Sequence, residues 1–291
     1  MRSLLFVPGD SEKKLEKGFS AGADVIIIDL EDSVAALTKP KARSLAAEAI
    51  RARPSGAKVY VRVNDLTTGL TDDDFAAVVP ARPDGIVLPK SQGGTDVQHL
   101  SVKLRVAEIE AGLPDGGIAI IPIITETGLA TLSTATYPGC SPRLAGLTWG
   151  AEDLAAEIGA RTNRNAEGRY TDVFRLARSV TLLAASASAV AAIDTVHVDF
   201  RDLGALRAEC LEAERDGFTG KLAIHPAQVP IINEVFTPSR EAVDQANALV
   251  AAFADAGNPG VVALEGRMYD IPHLKRAQRL LARARDAGVL A

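Results

Sequence analysis

Eight short runs of apolar, largely β-branched residues recur along the chain, most of them closed by a polar residue or by Gly or Pro: 3–7, 25–30, 59–63, 85–88, 119–124, 146–149, 195–199 and 221–224. They are apolar nearly throughout rather than on alternate residues, the pattern of parallel strands covered on both faces. Amphipathic stretches lie between them, at 12–22, 40–53, 96–112, 172–192 and 203–216, with Gly or Pro near many of their ends. Strand and helix alternating eight times predict an α/β fold, a (β/α)8 TIM barrel. Such a barrel takes about 250 residues, and the chain has 291. An open doubly wound sheet fits less well, because no Gly-x-Gly-x-x-Gly follows the first run and Pro8-Gly9-Asp10 makes a poor pyrophosphate cradle.

The barrel catalytic domain is expected to occupy residues 1–235, with a C-terminal helical extension over 236–291. That extension reads as a helix at 239–256, a break at Asn258-Pro259-Gly260, a short apolar segment at 261–264 and a last helix at 272–287. Having no place inside the barrel, it is expected to cover the mouth as a lid or to reach a neighbouring subunit.

A net charge of −5 offers no general attraction to nucleic acid. Cys140 and Cys210 are too few for a disulfide framework and lack the spacing of a zinc site, which points to a reducing cytoplasm. The N-terminus reads as a strand rather than a signal peptide, and no apolar run is long enough for a membrane span.

Barrels of this kind carry their reactive groups at the C-terminal ends of the strands. The polar residues there are Asp10, Asp29, Glu31, Asp32, Arg62, Asn64, Lys90, Glu126, Glu152, Asp153, Asp199 and His225. So many carboxylates at one mouth repel one another and raise one another's pKa unless a cation sits among them. With four histidines and no His/Cys cluster, zinc is disfavoured; one or two carboxylates, with water and substrate oxygens, are how magnesium is held. Asp153 is placed opposite Glu126 in this arrangement. Against it stands the reading in which Asp29, Glu31 and Asp32 cap the next helix or pair with Arg43.

Arg62 ends an otherwise apolar run and offers two parallel donors to a carboxylate, unless a salt bridge to Glu31 consumes it. Asn64 fits either the site or plain turn chemistry. Gly150 and Ala151 open a helix after the sixth run, so their amides suit an anionic substrate group, although a simple strand-to-helix turn also explains the glycine. Lys90 raises a second chemistry, a Schiff base with a carbonyl substrate. Surrounded by acids, it is expected to stay protonated as their counter-ion. His225 reads as a rim residue or a structural histidine, with neither preferred.

In Phe6-Val7-Pro8-Gly9-Asp10, Asp29-Leu30-Glu31-Asp32, Val61-Arg62-Val63-Asn64, Leu88-Pro89-Lys90, Glu126-Thr127-x-Gly and Trp149-Gly150-Ala151-Glu152-Asp153-Leu154, the chain resembles the citrate lyase β-subunit-like family. That family belongs to the HpcH/HpaI aldolase superfamily, with the malyl-CoA and citramalyl-CoA lyases. The resemblance runs on through Ile224-His225-Pro226-x-Gln228 and Glu265-Gly266-Arg267-Met268-Tyr269-Asp270-x-Pro272. It implies a TIM barrel assembled as a homotrimer or hexamer, with Mg²⁺ held by Glu126 and Asp153. It further implies that Arg62 contacts the oxo acid, that Glu31 and Asp32 hold water on the metal, and that Asp270 completes a neighbouring subunit's site. The alternative role for Asp270 is an N-cap of the last helix. Two departures, a chain shorter than typical malyl-CoA lyases and Tyr269 in place of an aliphatic residue, bear on the substrate more than on the chemistry.

The function these implications describe is Mg²⁺-dependent carbon-carbon cleavage of a malyl-CoA- or citramalyl-CoA-type thioester. The products are acetyl-CoA or a relative and a 2-oxo acid, and the reverse condensation is the same chemistry. Alternatives are a malyl-CoA-type thioesterase, the β subunit of a citrate lyase complex working on an acyl carrier protein, and a non-catalytic metabolite-binding partner.

Overall fold

The computed structural model describes residues 1–290. Strands β1 (Ser3–Pro8), β2 (Val25–Asp29), β3 (Lys58–Arg62), β4 (Gly85–Leu88), β5 (Ala119–Pro122), β6 (Gly146–Thr148), β7 (Ala191–Asp194) and β8 (Gly220–Ala223) form one sheet in the order β5-β4-β3-β2-β1-β8-β7-β6. All the pairings within it are parallel. The two outer strands also meet. Parallel bridges join Ile120 to Leu144 and Ile123 to Thr148, and the Ile124 N–H donates to the Thr148 carbonyl at 2.9 Å. The sheet therefore closes on itself, and the expected (β/α)8 barrel is the fold observed.

The two-residue period of a strand divides its side chains between the barrel axis and the surrounding helices. Leu4, Val25, Ile27, Tyr60, Val87, Ile121, Ile193 and Leu222 pack together on the axis. Their immediate neighbours Leu5, Ile26, Ile28, Val59, Val61, Ile86 and Ile120 face outward into the larger core that the helices share. Both faces are dry, so each run had to be apolar along its length.

One expected element falls elsewhere. The seventh strand is Ala191–Asp194, not 195–199, and the helix before it ends at Ala187 instead of running to residue 192. The helix stops because Ala189 adopts φ 55°; Val190 N–H then returns to the Ala185 carbonyl at 3.1 Å and Ala189 N–H to the Ser186 carbonyl at 3.2 Å. That closure normally belongs to glycine, and an alanine in an alanine-rich stretch gives no warning of it. Asp199 consequently lies in an exposed loop beyond the strand end.

A buried ionic network fixes this side of the barrel. Asp194 accepts from Trp149 Nε1 at 2.8 Å, Arg178 Nε at 3.1 Å and Lys221 Nζ at 3.1 Å. Glu209 meets Arg164 at 2.6 Å, His197 Nδ1 at 3.1 Å and Lys221 at 3.4 Å. Burial alone would lower the Lys221 pKa, but the charges of Asp194 and Glu209 raise it. Burial would likewise raise Glu209, yet the His197 contact and the Lys221 and Arg164 charges hold it at about 2.

Beyond the barrel, the helix Arg240–Asp255, the antiparallel hairpin β9 (Val261–Leu264) and β10 (Arg267–Asp270), and the helix Ile271–Asp286 share a separate apolar cluster that includes Val243, Leu249, Phe253, Val262 and Leu281. Glu265 and Gly266 both carry positive φ, as the tight two-residue hairpin turn requires. The hairpin's second strand was not expected from the sequence. Arg283 ties this unit back to the barrel through Glu214 at 3.2 Å and the Phe236 carbonyl at 3.3 Å. Among the described residues no helix is long and apolar enough to cross a membrane.

Removing one member of the buried network strands the others. Asp194→Ala leaves Lys221, with no exposure at all, without its closest carboxylate. It is expected to cost about 3 to 5 kcal/mol of unfolding free energy, measured as a lowered urea midpoint.

Candidate functional site

A cavity of about 400 Å³ opens where the strands end, bounded by Phe6 and Pro8 of β1, Asp29 of β2, Arg62 of β3 and the segments following β5 to β8. Arg62 enters because it is the last residue of its strand, where the chain turns from buried ladder to open mouth. Its guanidinium is clamped edge-on by Asp29, Nε to Oδ1 at 2.7 Å and Nη2 to Oδ2 at 2.6 Å. Its Nη1 lies 3.0 Å from Glu31 Oε2, a contact that lacks hydrogen-bond alignment, since Oε2 has no hydrogen-bond partner among the described residues. The hydrogen bonds to Asp29 thus use two of the five N–H groups a guanidinium carries. The Phe6 ring covers the guanidinium at 4.8 Å. Burial would raise the Asp29 carboxyl, but the Arg62 hydrogen bonds and charge hold it below the usual range. The salt bridge to Glu31 considered from the sequence is present, and Arg62 lines the cavity nonetheless.

Lys90 sits just past β4 with φ 52°, a left-handed conformation that costs a residue with a side chain about 1 to 3 kcal/mol. That conformation points its backbone N–H at the Glu126 carboxylate, to which it donates. Its ammonium goes elsewhere, donating to Glu31 and to Asp32 at 3.2 Å, with Asp153 at 3.8 Å. Burial would lower the lysine's pKa, but the Glu31 hydrogen bond and the charges of Glu31, Asp32 and Glu126 raise it above normal. A protonated lysine is a counter-ion and a poor Schiff-base nucleophile.

Glu126 is 2% exposed. Burial first, and the neighbouring Asp153 charge second, push its carboxyl well above the ordinary range, against the pull of the Lys90 amide. Gly150 makes this placement feasible, because a Cβ there would lie 2.7 Å from Glu126 Cγ and 3.1 Å from Oε1. Gly150 then leads directly into the helix Ala151–Glu157, whose first turn carries Glu152 and Asp153. A carboxylate forced toward neutrality beside a second carboxylate is relieved by a cation between them. Among the described residues no group of three His, Cys, Asp or Glu side chains forms a ready cage. Two hard oxygen ligands with the other positions left to water and substrate fit magnesium and do not fit structural zinc.

The structure therefore brings Arg62, Asp32, Glu126, Gly150, Ala151 and Asp153 to one cavity. Glu31 and Lys90 do not line it; they hold residues that do. Asp29, Glu31 and Asp32 do not pair with Arg43, which instead binds Asp74 at 2.7 Å and Asp73 at 3.2 Å. Asp29 does cap its own turn, accepting from the N–H groups of Glu31 and Ser33. Asn64 is buried against Asp74. His225 Nδ1 accepts from the Ala227 N–H at 3.1 Å while its ring stacks on Phe200. Asp10, Asn64, Asp199 and His225 stay outside the cavity lining. Asp270 also lies outside the cavity of its own chain; it stands at the start of the last helix with its carboxylate against His273 Nδ1. Sequence reasoning gave no role to the walls Phe6 and Trp149. Trp149, the only tryptophan in the chain and sited just past a strand end, was the available signal.

The family model described as HpcH/HpaI aldolase/citrate lyase matches residues 2–226. A (3S)-malyl-CoA thioesterase from Cereibacter sphaeroides is 37% identical over 288 residues, covering 97% of this chain and 94% of that one. The mitochondrial citramalyl-CoA lyase of Rattus norvegicus is 33% identical, over 97% of this chain and 86% of its own. A crystal structure of CitE from Mycobacterium tuberculosis, in complex with magnesium, acetoacetate and coenzyme A, superposes with a TM-score of 0.76 at 33% identity and covers 97% of each chain.

Adding one methyl group tests the Gly150 contact. Gly150→Ala is expected to displace the Glu126 carboxylate and weaken Mg²⁺ binding about 10- to 100-fold, measured by isothermal titration; unchanged affinity would refute the role given to this glycine.

Proposed function

The chain belongs to the HpcH/HpaI aldolase/citrate lyase family, and from that premise we propose that it is a Mg²⁺-dependent carbon-carbon lyase of the cytoplasm. Its substrate is a 3-hydroxy-3-carboxy acyl-CoA thioester of the malyl-CoA or citramalyl-CoA type. It releases acetyl-CoA or a relative together with glyoxylate, pyruvate or oxaloacetate, or condenses them in reverse. The observation that carries this reading is the buried Glu126 carboxylate beside Asp153, in the same cavity as the clamped guanidinium of Arg62.

Glu126 and Asp153 would hold the Mg²⁺. When bound there, the ion supplies Lewis-acid charge to substrate oxygens as the carbon-carbon bond breaks. Arg62 has N–H groups left after Asp29 is satisfied, and these grip the substrate carboxylate. Because Asp29 fixes the guanidinium before substrate arrives, orientation costs little at the moment of reaction. Gly150 and Ala151 line the same cavity, and their backbone amides would help to fix that carboxylate. Glu31 and Asp32 order water at the mouth and keep the Lys90 ammonium in place. The proton at the thioester's α-carbon is moved by Asp270 of a neighbouring subunit, or by water held at Glu31. Since Asp270 does not line the cavity of its own chain, its part in the reaction calls for a neighbouring subunit, and the assembly proposed is a homotrimer or hexamer.

A second reading has a specific observation behind it, the 37% identity to a (3S)-malyl-CoA thioesterase. The same site would then direct water at the thioester carbonyl. Service on an acyl carrier protein, as the β subunit of a citrate lyase complex, is a further variant of the same chemistry.

Glu126→Ala is expected to abolish Mg²⁺-dependent turnover of malyl-, citramalyl-, methylmalyl- and citryl-CoA with the far-UV circular dichroism unchanged; retained turnover sinks the proposal. In the parent protein, acetyl-CoA plus an oxo acid among the products identifies the lyase, and free CoA with an intact hydroxy acid identifies the thioesterase. For the shared site, mixing inactive Asp270→Asn subunits with inactive Glu126→Ala subunits should restore partial activity, and no recovery on mixing removes Asp270 from the mechanism.

A further inference from the structure

Lys39 is the first residue of the helix Lys39–Ala52, a poor place for a cation, since the N-terminal end of a helix carries partial positive charge. Its side chain turns back over the loop after β2. Nζ donates to the Leu30 carbonyl at 2.8 Å, the Glu31 carbonyl at 2.9 Å and Asn64 Oδ1 at 2.6 Å, which uses all three donors of an ammonium group. None of these acceptors is a carboxylate, so the lysine acts here as a three-way hydrogen-bond donor to neutral oxygens. The two carbonyls belong to the turn that carries Glu31 and Asp32, the acids that hold the Lys90 ammonium.

The third partner is firmly anchored. Asn64 donates its backbone N–H and its Nδ2 to Asp74 Oδ2, each at 2.8 Å, and Nδ2 also reaches the Leu30 carbonyl at 3.2 Å. Asp74 is wholly buried and receives Arg43 Nε at 2.7 Å. The turn after β2 is thereby fastened, through Lys39, to the turn after β3 and to the helices behind both.

We propose that Lys39 is a positioning residue of the site: it sets the Leu30–Glu31–Asp32 turn so that Glu31 and Asp32 take the hydrogen bonds of the Lys90 ammonium and hold it no closer than ion-pair distance to Asp153, leaving the Glu126 and Asp153 pair open to a divalent cation. Lys90 Nζ already lies 3.8 Å from Asp153. When the turn relaxes, the ammonium moves onto the Glu126 and Asp153 carboxylates and competes with the metal for them. The inference rests on the reading of Glu126 and Asp153 as the metal pair.

Titration of the full-length protein with Mg²⁺, followed by calorimetry, tests it without a substrate. Lys39→Met keeps the aliphatic stem and removes the donors; it is expected to weaken Mg²⁺ binding about 10- to 100-fold with an unchanged far-UV spectrum. Adding Lys90→Met to that variant removes the competing ammonium and is expected to recover most of the affinity, which a merely structural role for Lys39 would not do. Lys39→Arg retains the charge with altered donor geometry, is expected to show a smaller loss in the same direction, and gives the same comparison should Lys39→Met not fold. Mg²⁺ affinity within twofold of the parent in the Lys39 variants, or an equal loss with and without Lys90, overturns the proposal. A parent protein that binds no Mg²⁺ overturns the metal reading along with it, whereas binding by the parent and equally by the variants overturns this inference alone.

Discussion

Two carboxylates held close together with one of them out of water is the condition on which the rest of the mouth depends. Glu126 is buried and feels Asp153 beside it, so its carboxyl is driven toward the neutral form. The surrounding chain gives this carboxylate little compensation, mainly one backbone N–H from a lysine bent into the left-handed region. The ammonium of that lysine, the nearest mobile positive charge, is turned aside to Glu31 and Asp32. Arg62 is committed on one edge to Asp29. The arrangement is unfavourable for a protein that binds nothing there and favourable for one that binds a hard cation and an anionic substrate together.

The other side of the barrel makes the contrast plain. Around β7 and β8, Asp194 and Glu209 are each met by several cations, Arg178, Lys221 and Arg164 among them, and both acids sit below the usual carboxylate range despite burial. There the charges are settled within the chain, and the result is rigidity. Trp149 joins the two halves: its indole N–H is spent on Asp194, and the residue after it is the glycine that admits Glu126. The wall of the cavity is thus fixed by the closed network, while its floor keeps an unsettled pair of acids.

The barrel was legible in the sequence because strands covered on both faces must be apolar along their whole length, and the alternation of such runs with amphipathic stretches is hard to mistake. The residues that meet at the cavity were legible for a related reason: a charged residue at the end of an apolar run, such as Arg62 or Glu126, stands out. What escaped detection followed rules that residue type does not announce. Ala189 ended a helix in a conformation that usually signals glycine, which moved β7 four residues upstream of its expected start and took Asp199 off the strand end. Lys39 went unremarked, because its acceptors lie 8, 9 and 25 residues away and two of them are backbone carbonyls, which carry no residue signature. Phe6 gave no sign of its part, since an aromatic ring at the end of a strand reads equally as core.

The packing of the barrel axis has a kinetic meaning. Leu4, Ile27, Tyr60, Ile121 and Leu222 fill the space beneath the cavity, so whatever enters through the mouth leaves by the same door. Under the proposed chemistry, the fragment bearing the carboxylate lies against Arg62 and Glu126, the deeply buried end, and the thioester lies above it. Release would then be a matter of queueing: the thioester product would depart first and the oxo acid last, and the condensation would load them in the opposite order.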